Sequence, residues 1–147
     1  MSKARLVLDT NVWISGPLWT GRPHEILGLA EEGRAVVAVS PAIVEEVADA
    51  LARTKFAARL AALRTSVPEL VGSLLTLAEV YPPSRVIPVV TADPEDDKIL
   101  ACARAAHARW LVSGDQHLLA LRQHRGIRIV TPQMFLREWG RRASSLI

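Results

Sequence analysis

The sequence predicts a single α/β domain with a central, mainly parallel sheet and helices on both of its faces. Apolar stretches typical of strands alternate with stretches of helical apolar spacing, which is the order expected for a parallel sheet. The first strand, ending at Leu8, has apolar neighbours on both sides, as in a strand that is covered on both faces. The 147 residues contain no linker, repeat or low-complexity segment, so we expect one domain over residues 1–147.

Local signals define the elements in chain order. A strand over residues 6–8 leads to a Trp-bearing loop over 12–21, and a helix follows over 23–33. A second strand covers 35–39, after which Ser40-Pro41 supplies an N-cap and a proline at N1 for a helix to about residue 54. The remaining predictions are helices at 56–63 and 67–77, a strand at 85–90, a helix from Asp93-Pro94 to about 106, a strand at 110–112, a helix at 117–123, a strand at 128–130 and a helix from 132 to about 142.

The composition excludes several classes of protein. Half of the residues are hydrophobic and 22% are charged, which indicates a globular chain. The single Cys102 excludes an internal disulfide framework and a cysteine-based zinc site. No apolar run approaches the roughly 20 residues of a membrane span, and the start of the chain leaves no room for a signal peptide. We therefore expect a cytoplasmic protein that does not associate with a membrane.

Two acidic residues directly follow predicted strands. Asp9 comes after the first strand, and Asp115 comes after residues 110–112 and the intervening Ser113-Gly114. Ligands of open α/β sheets bind at the carboxyl ends of the strands, where a carboxylate loses part of its hydration and favours a cation nearby. The alternative is that each caps a helix or forms a turn, which is common for Asp.

Two further acidic positions lie on predicted helices. Glu46 shares the apolar stripe of its helix, a costly place for an unpaired carboxylate, whereas Glu45 falls on the outer face. The run from Asp93 to Asp97 holds four acids, more than helix initiation requires. Periodicity does not choose between Asp96 and Asp97. Several carboxylates without a Cys or His cluster favour Mg²⁺ or Mn²⁺.

Four motifs together resemble the PIN domain family. They are Leu8-Asp9-Thr10-Asn11-Val12, Ser40-Pro41 followed by Glu45-Glu46-Val47, Asp93 to Leu100, and Val112-Ser113-Gly114-Asp115. They occur in the family's order and spacing over nearly the whole chain. The chain is most similar to the small bacterial and archaeal toxins of toxin–antitoxin pairs, the VapC-like ribonucleases.

This resemblance implies a metal-dependent endoribonuclease that hydrolyses RNA phosphodiester bonds. By motif position, the family's catalytic and metal-binding acids fall on Asp9, Glu46, Asp97 and Asp115. The implied supporting residues are Asn11, Asp93, Asp96 and Ser113. The implied cofactor is Mg²⁺ or Mn²⁺, and the implied partners are RNA, a small antitoxin and a second copy in a homodimer.

Two other interpretations remain open at this point. A phosphoacceptor domain also places an Asp after its first strand, but the dehalogenase-like pattern has a second Asp where this chain has Asn11. A catalytically silent PIN fold that binds RNA or protein is the second alternative. Trp13 and Trp19 are consistent with base stacking or with sealing a core or dimer contact.

Overall fold

The structure, a computed structural model, describes residues 3–82 and 94–145, with side chains for all of them except 94, 95 and 141–145. The strands of this part of the chain are β1 (Ala4–Leu8), β2 (Ala35–Val39), β3 (Glu79–Val80), β4 (Trp110–Val112), β5 (Gln123–His124) and β6 (Ile127–Val130). Its helices are α1 (Thr10–Leu18), α2 (Arg22–Glu31), α3 (Pro41–Leu51), α4 (Ala57–Ala62), α5 (Val67–Leu77), α6 (Pro94–Ala105), α7 (Gln116–Leu119) and α8 (Pro132–Ser145).

The strands form one sheet in the order β3-β2-β1-β4-β6-β5. All neighbouring strands are parallel except β5 and β6, which form an antiparallel hairpin at one edge. Leu6, Val7 and Leu8 are each 0% exposed, although successive side chains of a strand point to opposite faces. Both faces of the sheet are therefore covered, which confirms the predicted fold class.

The central strands carry the site because they end side by side. β1 and β4 are parallel neighbours, and Leu8 pairs with Val112. The backbone N–H of Asp9 continues this ladder by donating to the carbonyl oxygen of Val112 at 3.0 Å. The residues that follow both strands, Asp9 and Ser113, are thereby brought to the same edge.

An aromatic contact fixes β4 against the last helix. Trp110 in β4 meets Phe135 of α8 edge to face, with ring centroids 5.3 Å apart, and Trp139 stacks with Phe135 at a centroid distance of 6.3 Å. Trp110 is 3% exposed and Phe135 is 0% exposed. Burying rings of this size anchors the strand that leads into Ser113.

The expected loop over residues 12–21 was wrong, because residues 10–18 form α1. Asp9 caps this helix. Pro17 stands in the last turn, and because proline has no backbone N–H, one hydrogen bond is absent near the end of the helix. Gly16 suits the helix because it lies against α2, where a Cβ atom would clash with the side chain of Leu27. Gly16-Pro17 is therefore a packing contact near the end of a helix.

Smaller differences concern the ends of elements and the short strands. The helix expected to reach residue 54 ends at Leu51 and is followed by a 3-10 turn over Thr54–Phe56. The helix expected over 117–123 is the single turn α7, after which the chain enters the short strand β5. The strand predicted at 85–90 and the N-cap prediction for Asp93 lie outside the described residues.

Within the described ranges, no single helix is long and apolar enough to cross a membrane. The segments Thr54–Ala62 and Val67–Leu77 meet the criterion of length and composition only when taken together, and they are bent by 77°.

Candidate active site

Asp9 is a buried carboxylate with both oxygens hydrogen-bonded. It is 4% exposed and caps α1 by accepting the backbone N–H of Val12 on Oδ1 at 2.9 Å. Its Oδ2 accepts the hydroxyl of Ser113 in a short hydrogen bond. From the sequence, Asp9 could be either a helix cap or a site residue. In the structure its carboxylate caps α1 and also makes a buried hydrogen bond with Ser113.

Burial raises the pKa of Asp9 above its ordinary value. Loss of hydration is the largest cause, and the negative charge of Asp115 adds to it, while the hydrogen bonds from Ser113 and from the backbone of Val12 and Gly114 act in the opposite direction. The ionised form of Asp9 is thus less favourable than that of an exposed aspartate. A bound cation would compensate this cost directly.

Ser113 links the ends of β1 and β4. Its side chain is 0% exposed, and its hydroxyl donates to Asp9 while accepting the backbone N–H of Asp115 at 2.9 Å. Asp115 is half-buried and caps α7 through a 2.8 Å hydrogen bond from the backbone N–H of His117 to its Oδ1. The structure therefore brings Asp9, Ser113 and Asp115 together, as their positions after two strands predicted.

Glu46 is half-buried on α3, next to the buried stripe of Ile43 and Val47. Ser40 caps this helix by accepting the backbone N–H of Ile43 on its hydroxyl, as predicted. Glu45 is exposed, in agreement with its expected place on the outer face. The distinction between the two glutamates, drawn from helical periodicity, therefore matches their burial.

Both aspartates whose roles periodicity could not separate are buried near the start of α6. Asp96 is 5% exposed and Asp97 is 6% exposed. Asp97 lies two helical turns before Arg104 and therefore on the same face of the helix. Burial lowers the pKa of both Arg104 and His124, whose Nη1 and Nε2 atoms lie 3.0 Å apart, and the positive charge of Arg125 adds to this, while the charge of Asp97 acts in the opposite direction. Asp97 thus faces the β5 side of the sheet.

Among the side chains described, no three carboxylates, imidazoles or thiols lie close enough together to hold a metal ion. Glu46 and Asp97 therefore do not join Asp9 and Asp115 in such a group, and Asn11 is exposed on the first turn of α1. The donors present nevertheless fit a hard divalent cation, because Asp9 and Asp115 are neighbouring carboxylates and each oxygen retains a second lone pair. The four-carboxylate metal site stays a prediction.

A groove of about 470 Å³ lies between α1, α2, α3 and α5. Its lining is mostly apolar and includes Trp13, Pro17, Leu27, Gly28, Val47 and Leu74. Trp13 is 2% exposed, so its ring seals the core, and its indole Nε1 has no hydrogen-bond partner among the described residues. The sequence analysis missed this groove, although Trp13 and Pro17 are four residues apart and would share a face had a helix been recognised there.

Comparisons with known proteins agree on the fold. A sequence profile of the PIN domain matches residues 5–117. The chain has no significant sequence match among curated proteins.

Solved structures with the same fold include three from different organisms. They include VapBC2 from Rickettsia felis bound to a DNA fragment from their promoter, with 14% identity, a TM-score of 0.55 and coverage of 85% of this chain and 96% of that one. FitAcB from Neisseria gonorrhoeae has 21% identity, a TM-score of 0.57 and coverage of 87% and 98%. The RRP44 PIN domain of T. brucei has 15% identity, a TM-score of 0.52 and coverage of 99% and 86%.

Proposed function

Since the chain belongs to the PIN domain family, we propose that it is a metal-dependent endoribonuclease that hydrolyses RNA phosphodiester bonds. The observation that supports this most is the buried Asp9 carboxylate, held by Ser113 beside Asp115 at the ends of β1 and β4. A structural helix cap has no need of burial or of a second carboxylate nearby. Both features suit a site for a divalent cation, which one or two carboxylates can hold together with water and substrate phosphate oxygens.

In this proposal Asp9 and Asp115 would hold Mg²⁺ or Mn²⁺. Glu46 and Asp97, which do not form one group with them among the described side chains, would complete the site by moving closer to the cation. Such a cation acidifies a water molecule and polarises the scissile phosphate. Val12 and Ser113 fix the two oxygens of Asp9 through hydrogen bonds, so the carboxylate keeps one orientation. The four histidines follow no ligand spacing, and no Ser, His or Cys arrangement in the sequence supports a covalent intermediate.

Comparison of the parent protein with Asp9→Asn tests this function. Asn keeps the Oδ1 acceptor for Val12 and offers an amide in place of Oδ2, so the cap of α1 is preserved while the charge is removed. Both proteins are incubated with end-labelled single-stranded and stem-loop RNAs in EDTA, Mg²⁺ or Mn²⁺. We expect cleavage by the parent with metal only, 5′-phosphate products, and none from Asp9→Asn. Equal cutting by both proteins, or 2′,3′-cyclic phosphate ends, would contradict the proposal.

We further propose that the protein is the toxin of a cytoplasmic toxin–antitoxin pair. The resemblance to VapC-like proteins supports this, and the groove between α1, α2, α3 and α5 suits the apolar face of a small antitoxin. One wall of the groove is α3, which also carries Glu46. An antitoxin bound there would contact the helix that carries this proposed catalytic residue.

Two glycine substitutions make a matched test of this partner. Gly28 lines the groove, and a Cβ at this position meets no atom within 4 Å, so Gly28→Arg fills the groove without straining α2. Gly72→Arg on α5 is equally unhindered but does not line the groove. We expect Gly28→Arg to lose co-purification with the protein encoded by a neighbouring small gene, and Gly72→Arg to retain it. Retention by both would place the partner elsewhere.

A silent PIN fold that binds RNA is the second candidate. The observation in its favour is that no three potential metal ligands come together among the described side chains. RNA binding by the parent and by Asp9→Asn without cleavage by either, over a broad panel of RNAs and metals, would establish this alternative.

A further inference from the structure

Aromatic and cationic side chains meet at the end of α1 that lies away from Asp9. Trp19 contacts Phe56 edge to face with ring centroids 6.1 Å apart, and the guanidinium of Arg59 lies 5.8 Å from the centroid of the Trp19 ring. The ammonium of Lys55 lies 5.1 Å from the centroid of the Phe56 ring. These four residues, the Trp19 cluster, join the end of α1 to the 3-10 turn and to α4.

The cluster holds the exposed indole in a fixed position. Trp19 is 44% exposed, whereas Phe56 beneath it is 9% exposed. Arg59 donates from Nε to the carbonyl oxygen of Leu18 at 2.6 Å and so ties α4 to the residue before Trp19. An aromatic surface that is ordered in advance binds a flat ligand with a smaller loss of conformational entropy.

The surrounding chain is basic. Residues 50–68 contain four cationic residues and no Asp or Glu, the cations being Arg53, Lys55, Arg59 and Arg64. Arg53, Lys55 and Arg64 are exposed, and Arg59 is half-buried. This stretch carries a larger positive excess than the whole chain, whose formal net charge is +3.

We propose that the Trp19 cluster binds single-stranded RNA, with a base stacked on Trp19 and the phosphates attracted by Lys55 and Arg59. Proteins bind single strands by combining aromatic stacking platforms with cationic grooves. A protein partner would need its own carboxylates opposite these cations, whereas RNA carries a negative charge at every nucleotide. The inference rests on the proposed function, in which RNA is the substrate.

The length of α1 connects this surface to the carboxylates. Asp9 and Trp19 cap the two ends of α1, and the ten residue steps between them rise by about 15 Å along the helix axis, the length of a few nucleotides of a single strand. One RNA strand can therefore lie on the Trp19 cluster while its scissile bond reaches the end of β1. The cluster contributes to affinity for the substrate and leaves the chemistry to the carboxylates.

The test measures binding in the Asp9→Asn background, where cleavage does not remove the ligand. Fluorescence anisotropy with a labelled single-stranded RNA compares Trp19→Ala, Trp19→Phe and Lys55→Ala, each combined with Asp9→Asn. We expect Trp19→Ala to weaken binding roughly 5- to 150-fold, the range for loss of one base stack, and Trp19→Phe to weaken it less. Lys55→Ala should lower the slope of log affinity against log salt by about 0.7, the value for one lost phosphate contact.

Two controls match these changes. Leu75 on α5 is 44% exposed, as Trp19 is, so Leu75→Ala controls for removal of an exposed apolar side chain. Lys3 is an exposed lysine just before β1, so Lys3→Ala controls for loss of one positive charge. Both should bind RNA as the Asp9→Asn protein does. Thermal unfolding verifies that each variant is folded, and Lys55→Ala still tests the proposal if Trp19→Ala does not fold.

The outcomes separate this inference from the proposed function. Affinity that is equal in the Trp19, Lys55 and control variants, with metal-dependent cleavage by the parent intact, overturns the RNA surface alone. Failure of Asp9→Asn to bind RNA, together with no cleavage by the parent, overturns both. Unchanged RNA binding with an altered oligomeric state in Trp19→Ala overturns the inference and assigns this face to a protein contact.

Discussion

Helix α1 joins two regions of opposite character. Just before its first residue stands the N-cap Asp9, which is buried. Both of its carboxylate oxygens accept hydrogen bonds, and its pKa is raised. Just beyond its last residue lies Trp19, which is 44% exposed and has the guanidinium of Arg59 near its ring. Burial of the ionised Asp9 carboxylate opposes folding, because the charge loses its hydration. The exposed indole of Trp19 requires little desolvation of polar groups.

The two ends of α1 therefore differ in how their polar groups affect the stability of the protein without a ligand. Burial disfavours the ionised form of Asp9, so a divalent cation bound there, as we propose, would offset this cost and stabilise the protein. The Trp19 end is already packed and hydrogen-bonded through Arg59, so an RNA strand bound there, as we propose, would require little rearrangement of the protein. Substitutions at the Asp9 end therefore test cleavage and the free energy of unfolding, and substitutions at the Trp19 end test the binding of RNA.

The largest effect is expected for cleavage by Asp9→Asn. We expect a loss of more than about a hundredfold, because changes to residues that merely support metal ligands already cost about 10- to 100-fold. The free energy of unfolding should stay equal or increase, because the cap of α1 remains and a buried charge disappears. Activity assays measure the loss of cleavage, and denaturant unfolding of the same preparation measures the free energy of unfolding. Lost activity with lost stability would mean that Asp9 acts mainly as a structural cap.

Metal binding should raise the free energy of unfolding of the parent. At a hundredfold excess over its dissociation constant, Mg²⁺ or Mn²⁺ should add about 2.7 kcal/mol at neutral pH. Asp9→Asn should gain much less. Unfolding with the divalent salt is compared with NaCl at the same ionic strength, and an equal shift in both proteins would remove Asp9 from the metal site.

Ser113→Ala should reduce cleavage by about 10- to 100-fold, the range for residues that orient metal ligands. The change removes the hydrogen bond that lowers the pKa of Asp9, so the acidic limb of the pH–rate profile should move to higher pH. Ser113→Thr keeps the hydroxyl and serves as the conservative control. A uniform loss of rate without movement of this limb would indicate a packing defect.

Lys55→Glu should raise KM several-fold and leave kcat unchanged, because the Trp19 end contributes binding and not chemistry. Steady-state cleavage at two salt concentrations measures this, since the effect should shrink as salt screens the charge. Lys3→Glu is the matched charge reversal. A fall in kcat with KM unchanged would contradict the separation of the two ends.

The smallest effect concerns pH and stability. Because folding raises the pKa of Asp9, the native state binds its proton more tightly than the unfolded state. The parent therefore loses stability as pH rises from the ordinary Asp range near about 4 through the raised pKa, and the loss persists above it. Without metal, the stability of Asp9→Asn relative to the parent should grow over this window and then stay constant. A constant difference at all pH values would contradict the raised pKa.

Most of the fold could be predicted from the sequence because its signals are local. Ser40-Pro41 marked the start of α3, and the apolar runs marked β1, β2 and β4. Helix α1 was missed because Gly16 and Pro17 indicated a loop, although the packing of Gly16 against α2 explains the glycine. β3 and β5 have two residues each, too few to show a periodicity.

The site could be predicted only in part. The positions of Asp9 and Ser113 after two strands were evident from the sequence, but their hydrogen bond depends on β1 and β4 being neighbours, which no local signal encodes. The placement of Glu46 and Asp97 around the same cation depends on helix orientation and stays a prediction. The contact of Trp19 with Phe56 joins distant segments of the chain and was equally beyond local reasoning.

The hairpin at the end of the sheet also limits the ways in which copies of this protein could associate. β5 is a two-residue strand that turns through Arg125-Gly126, where both residues have positive φ, into β6. Edge strands with long runs of unpaired amide groups promote strand addition and aggregation, whereas a short edge bearing a cationic turn resists both. A homodimer of this chain would therefore not extend the sheet across β5.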